Sequence, residues 1–304
     1  MHPSPPNNEA PQPITPLLLR DWPLPDLEGG KAKRGQALVI AGAVEMPGGA
    51  VLTGMAALRA GAGVVQVATA ESAVSSVATA VPEFYVIGFS SDDERRQESL
   101  RAVIELAKLA DVVLIGPGMR DVEAIRSLLP ELLKMDHLDA LIIDAKAIAI
   151  AAEMLPAKGD LRGKTILTPH ADEMDEITKA SKEETEQYSL RVAREAANQL
   201  GSVILLKQGS KVLICAGDGP AYLNTGGNVG LNTAGSGDVL AGILAGLCAR
   251  GAEPLQAAVY GASAIARAGE KLAQQIGPVG YLARELLPEI PRLLASQTEQ
   301  QAVG

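Results

Sequence analysis

The apolar run Gln36-Ala-Leu-Val-Ile-Ala41 leads into a Gly/Pro loop, Gly42 to Gly49, and then into an alanine-rich segment, Ala50 to Ala60. Past Gly61-Ala62-Gly63 a second apolar run follows, Val64 to Ala68. Short, unbroken apolar runs of this kind read as buried strands. The alanine-rich segment between them reads as a helix. Strand, loop, helix and strand in that order form a βαβ unit. Such a unit commits the chain to a parallel sheet covered by helices.

The remaining chain repeats the pattern. Helices are expected over Ser72 to Thr79, Leu100 to Ala110, Val122 to Met135 and Glu183 to Leu200, with a charged surface loop from Ser90 to Glu98. Strands are expected at Phe84 to Ile87, Asp111 to Ile115, Ala140 to Asp144, and from Thr165 into the Pro169 turn. Ser202 to Leu206 and Val212 to Ala216 flank Gln208-Gly209-Ser210 and read as a hairpin. Helices again follow from Glu253 to Gln274. The first 32 residues, rich in Pro, Asn and Glu at their start, read as a weakly ordered leader with one short helix inside Ile14 to Pro25. The fold class is therefore α/β in a single domain over residues 33–296, with a frayed tail at 297–304. Residues 1–32 are too few for a further domain.

Composition narrows the function. Apolar residues make up 47% of the 304, and aromatics only 3%, so the core is aliphatic. A net charge of −9 argues against nucleic acid and membrane surfaces as partners. No apolar run is long enough to cross a bilayer, no signal peptide is evident, and a cytoplasmic location is expected. Cys215 and Cys248 read as small buried hydrophobes, and no Cys/His cluster has metal-ligand spacing.

The chemistry concentrates between Asn224 and Gly251, NTGGNVGLNTAGSGDVLAGILAGLCARG. Val239, Leu240, Ile243, Leu244 and Leu247 give a helix its buried stripe. Ala241, Gly242, Ala245 and Gly246 keep that helix thin for close packing. It starts near Ser236-Gly237-Asp238. A helix N-terminus offers unbonded N–H groups and a positive dipole, so Gly235, Ser236 and Gly237 form a candidate anion cradle. Asp238 either caps the helix or serves as a base for a substrate hydroxyl beside the anion.

Other candidates end strands on the ligand side of the sheet. Met46-Pro47-Gly48-Gly49 is either an ordinary turn or a ligand loop, and so is Gly116-Pro117-Gly118. Asp144 and His170 end two more strands. Lys207 and Lys211 either meet phosphates as point charges or are plain exposed hairpin lysines.

Asn224-Thr225-Gly226-Gly227-Asn228, followed by Ala234-Gly235-Ser236-Gly237-Asp238-Val239-Leu240-Ala241-Gly242, resembles the signature of the ADP-dependent (S)-NAD(P)H-hydrate dehydratases, members of the ribokinase-like superfamily. Leu167-Thr168-Pro169-His170 matches a second motif, and the resemblance runs from about Lys33 to Leu294. It implies a mostly parallel sheet flanked by helices on both faces. It implies Asp238 as catalytic base, with Gly49, Gly118 and His170 against the hydrated dinucleotide. Lys207, Gln208, Gly209, Ser210, Lys211 and Gly237 would hold the nucleotide, with Asp144 and Asn228 as further candidates.

The resemblance also implies ADP or ATP as phosphate donor, Mg²⁺, a homotetramer, and a separate epimerase as working partner. The alternatives are a small-molecule kinase of the same fold and a nucleotide-binding relative without catalysis. Three positions depart from the family habit. Lys146 follows Asp144-Ala145 where relatives carry Asp or Gly, and is expected in solvent or paired with Asp144. Ala171-Asp172 replaces a glycine-containing turn, and Tyr260-Gly261 replaces His-Gly.

Overall fold

The computed structural model describes residues 10–26, 30, 31, 33–155 and 163–298. Its strands are β1 (Gln12–Pro13), β2 (Gln36–Ile40), β3 (Val64–Ala70), β4 (Tyr85–Phe89), β5 (Val112–Ile115), β6 (Ala140–Ile143), β7 (Thr165–Leu167), β8 (Val203–Gln208), β9 (Lys211–Ala216) and β10 (Ala221–Asn224). They form one sheet in the order β1-β10-β9-β8-β7-β6-β5-β2-β3-β4. Strands β2 to β8 pair in parallel, and β8, β9 and β10 turn back antiparallel. From β2 the chain winds outward to β4. It then returns to β5 and winds the other way. The crevice between β2 and β5 is thus the topological switch point, where such sheets bind ligands.

Helices cover both faces because the strands are apolar on both sides. Ala37 and Val39 of β2 join one core with the helices Pro47–Ala60, Ser236–Ala249 and Pro254–Gln275. Leu38 and Ile40 join the opposite core with the helices Asp93–Ala107, Val122–Leu132 and Ser189–Leu200. Successive residues point to opposite faces, so one strand feeds two cores.

Helices Pro47–Ala60 and Ser236–Ala249 run parallel along a seam of small residues. A Cβ on Gly242 would lie 2.2 Å from the Thr53 carbonyl oxygen, and one on Gly246 would lie 2.2 Å from that of Ala57. The same four-residue step back brings Gly49 beside Asp238, whose Oδ2 would be 3.5 Å from a Cβ at Gly49. The seam therefore fixes where the two helices begin relative to each other.

Several boundaries differ from the sequence reading. The helix after β2 opens at Pro47, not Ala50, with Pro at a position that needs no N–H. The helix Asp93–Ala107 begins inside the stretch expected as a loop, because the Asp92 side chain accepts from the Glu94 N–H and caps it. The segment 183–200 breaks into the helices Lys182–Gln187 and Ser189–Leu200 at Tyr188.

The leader is the larger correction. Its expectation for residues 1–9 falls outside the described residues, as does that for the tail at 299–304. Residues 10–25, however, are folded onto the domain. β1 adds to the sheet in parallel with β10, and the helix Pro16–Asp21 buries Leu19. Leu24 is buried as well. The Tyr260 hydroxyl donates to the carbonyls of Leu19 at 2.5 Å or Trp22 at 3.0 Å. The Gln256 amide donates to Trp22 and Pro23, and Arg250 to Pro25. Tyr260 is thus an anchor for the N-terminal segment and has no part in the site. Tyr260→Phe keeps the ring but takes one donor from those carbonyls, leaving Leu19 with the Trp22 N–H and Trp22 with the Gln256 amide. We expect a loss of about 1–2 kcal/mol in chemical denaturation with turnover unchanged.

Candidate active site

The switch point is built from bare backbone. Gly116 follows β5 with φ +124°, and a Cβ there would stand 1.9 Å from the Asp144 carbonyl oxygen, so only glycine fits. Gly42, Gly49 and Gly118 touch one another: a Cβ on Gly118 would lie 3.4 Å from the Gly42 Cα and 3.5 Å from that of Gly49. Asp238 sits at the edge of this glycine floor, in the first turn of its helix.

On the other side of Asp238 opens a cleft of about 490 Å³, lined by Asp144, His170, Lys207, Gly209, Ser210 and the Leu231–Asp238 segment. Gly235 takes φ +91° to start the helix. Gly237 and Asp238 are its second and third residues, where an N–H has no acceptor within the helix. Lys207 faces them, and a Cβ on Gly237 would lie 3.8 Å from its Nζ. An anion placed there meets two backbone donors, a helix dipole and an ammonium.

Two carboxylates share that ammonium. Asp144 is buried and accepts from Lys207 Nζ at 3.3 Å and, in a very short bond, from the Thr168 hydroxyl. Burial pushes the Asp238 carboxyl up to about 6; the Asp144 charge adds to this and Lys207 opposes it. A carboxylate so tuned is ionised at neutral pH yet basic enough to take a proton. His170 lies one strand over, bridged to Lys207 along the backbone. Desolvation first, and then the Lys207 charge, lower its pKa, so the ring is neutral at pH 7. Glu173 accepts from the His170 N–H at 2.7 Å, and burial raises its pKa.

The sequence candidates separate here. Asp238, Gly237, Lys207, Gly209, Ser210, His170 and Asp144 meet in or around the cleft, with Gly49 and Gly118 forming the floor beside it. Ser236 also lines the cleft, but its polar atoms are turned to the loop: its N–H bonds Thr233, and its hydroxyl donates to Leu231 or Thr233. Strand alternation turns Gln208 outward, where its amide donates to the Thr185 carbonyl. Lys211 is exposed on the outer groove of the hairpin. The Asn228 carboxamide oxygen accepts from the Gly230 N–H and the Tyr281 hydroxyl and braces the loop before the helix, while its buried amide nitrogen has no partner among the described residues. Lys146 is exposed, and Asp144 takes Lys207 as its partner instead.

Three contributors were missed: Thr168 and Glu173 as partners, and Ala145, which lines the cleft at φ +51°. Thr168 carried a signal, being polar at the end of an apolar strand.

Comparison with known proteins agrees with this geometry. A family model described as NAD(P)H-hydrate dehydratase matches residues 37–292. The chain is 37% identical to the ADP-dependent (S)-NAD(P)H-hydrate dehydratase of Xanthomonas campestris pv. campestris, over 92% of this chain and 95% of that protein. Among solved structures it resembles a ribokinase-like superfamily protein of Enterococcus faecalis, with TM-score 0.81, 26% identity and coverage of 95% and 96%. It also resembles the ADP/ATP-dependent NAD(P)H-hydrate dehydratase of Bacillus subtilis co-crystallized with ATP/Mg²⁺, with TM-score 0.79, 28% identity and coverage of 94% and 99%. The sheet order, the glycine floor and these matches converge: the chain belongs to the NAD(P)H-hydrate dehydratase family and has the ribokinase-like fold.

Proposed function

We propose that this protein repairs the S-epimer of hydrated NADH or NADPH, using a nucleotide to drive dehydration. The observation that carries the reading is the position of Asp238, between a glycine floor on one side and an anion cradle with Lys207 on the other. A hydroxyl on the hydrated ring lies at Asp238 while the terminal phosphate of ADP lies at the Gly237 and Asp238 amides.

Asp238 takes the hydroxyl proton. The oxygen attacks the terminal phosphorus, and the bond from phosphorus to the nucleotide's bridging oxygen breaks, releasing AMP. Lys207 and the helix N-terminus stabilise charge on the transferring group. Phosphate then leaves with the C–O electron pair and takes the proton lost from the neighbouring ring carbon, and the ring double bond returns. Among the described residues no group of three His, Cys, Asp or Glu side chains could hold a metal. Two carboxylates in the cleft do fit a cation arriving with phosphate ligands of its own. Asp144 and Asp238 would touch such a Mg²⁺, which would neutralise phosphate charge.

The test is reduced-nicotinamide absorbance after mixing protein, Mg²⁺ and ADP with hydrated NADH. We expect a rise that needs the nucleotide, with one AMP and one phosphate per NADH. A stable phosphorylated product without NADH would replace the dehydratase reading with the kinase one.

A further inference from the structure

A second cavity, of about 280 Å³, opens on the far side of the glycine floor at the ends of β2, β3 and β4. Gly42 and the loop after it form one wall, and Glu71, Ser90, Asp92, Arg95 and Arg120 line the rest. Its size falls just below that of complete ligand pockets, roughly 300–1,000 Å³, and suits part of a ligand. We propose that this cavity receives the adenylate end of the hydrated dinucleotide, with Arg120 on the pyrophosphate. The inference rests on the dehydratase reading above and extends it to the part of the substrate that does not react.

The reacting ring has to reach Asp238, and the donor nucleotide fills the cleft on the Lys207 side. The rest of the substrate must therefore leave past Gly49 and Gly118, toward Gly42. That wall is backbone alone, so a chain of phosphates and sugars can cross it closely.

Charge then singles out Arg120. Arg95 is held by Glu71 at 2.8 Å, and Arg96 by Asp121 at 2.9 Å. Arg120, two residues past Gly118, has no ion pair among the described residues and only touches the Met46 sulfur at 3.8 Å. It is the guanidinium at this cavity left to meet an anion, in the fork geometry that suits phosphate. Apart from Arg95, which Glu71 holds, the other lining charges are acidic. Glu45 and Asp92 border the cavity, and Glu71 is already spent on Arg95. Carboxylates accept from ribose hydroxyls and repel a further phosphate. The cavity accordingly favours hydrated NADH over hydrated NADPH.

The test uses the full-length protein with Arg120→Ala and Arg120→Glu. Arg120 is exposed, so folding is not at stake. We expect KM for hydrated NADH, and Kd for NADH read by nicotinamide fluorescence, to rise about tenfold in the Ala variant and further in the Glu variant. ADP affinity should stay within about twofold of wild type, because Arg120 lies outside the nucleotide cleft. Wild-type kcat/KM should favour hydrated NADH by about tenfold or more. Unchanged KM and Kd in both variants, beside a wild type that regenerates NADH, overturn the cavity assignment and leave the dehydratase reading standing. Equal use of the two substrates overturns the acidic-rim argument. A wild type that regenerates no NADH overturns both readings.

Discussion

Asp238→Asn loses turnover by about 10³-fold or more, and at pH 7 it is at least as stable as wild type. The loss follows from the absence of a substitute. The other aspartate in the cleft, Asp144, already accepts from Thr168 and Lys207. Asn matches Asp in shape, so the helix start and the glycine floor stay in place, and what vanishes is the base. The stability gain follows from the carboxyl's folded pKa, raised from 3.8 to about 6. The folded state then binds the proton more tightly than the unfolded chain does. Stability falls as pH rises from about 4 to about 6, and the full cost persists above that. Asn removes it, for a gain on the order of 1–3 kcal/mol at pH 7 and none below about pH 4. Urea melts at the two pH values check this. In the wild type the same group gives kcat/KM an acid limb near pH 6, with activity falling below it. Full turnover by the Asn variant, or a flat profile through pH 6, would remove Asp238 as the base.

Gly242→Ala is expected to cost about 3 kcal/mol or more, although alanine is the better helix former. The propensity gain is about 1 kcal/mol. Against it stands a methyl group placed 2.2 Å from the Thr53 carbonyl oxygen, and a backbone atom cannot rotate away. The helices must separate, opening a seam that Gly246 and Ala57 share one turn further on. Overpacking of this kind typically costs 1–3 kcal/mol, and backbone contact pushes it to the upper end or beyond. Separation also shifts Asp238 relative to Gly49, so turnover should fall in the fraction that remains folded. Thermal melting and residual activity test both halves. A variant with wild-type Tm would show that the helices are not in contact at Gly242.

The helix seam was legible in the sequence because small residues at four-residue spacing have one obvious use. The parallel sheet was legible because short apolar runs separated by glycine turns admit few other folds. Asp238 could be picked out locally, but its tuning could not. That depends on Asp144 and Lys207, which meet across 63 residues of chain. The hairpin was recognisable, whereas the sorting of Lys207 inward and Lys211 outward depended on where β8 ends. The leader misled because proline-rich composition resembles disorder, while its order comes from Tyr260 and Gln256 in a distant helix.

That last attachment has a temporal side. Trp22 is 238 residues ahead of Tyr260 in the chain. At about 5–20 residues per second, synthesis separates them by roughly ten to fifty seconds. During that interval the segment around Trp22 has nowhere to dock. Among the described residues β1 pairs with β10 alone, and the position of β10 depends on the hairpin before it. Residues 10–25 are therefore among the last parts to settle. When they do, they close the open edge of β10 that would otherwise invite pairing with another chain.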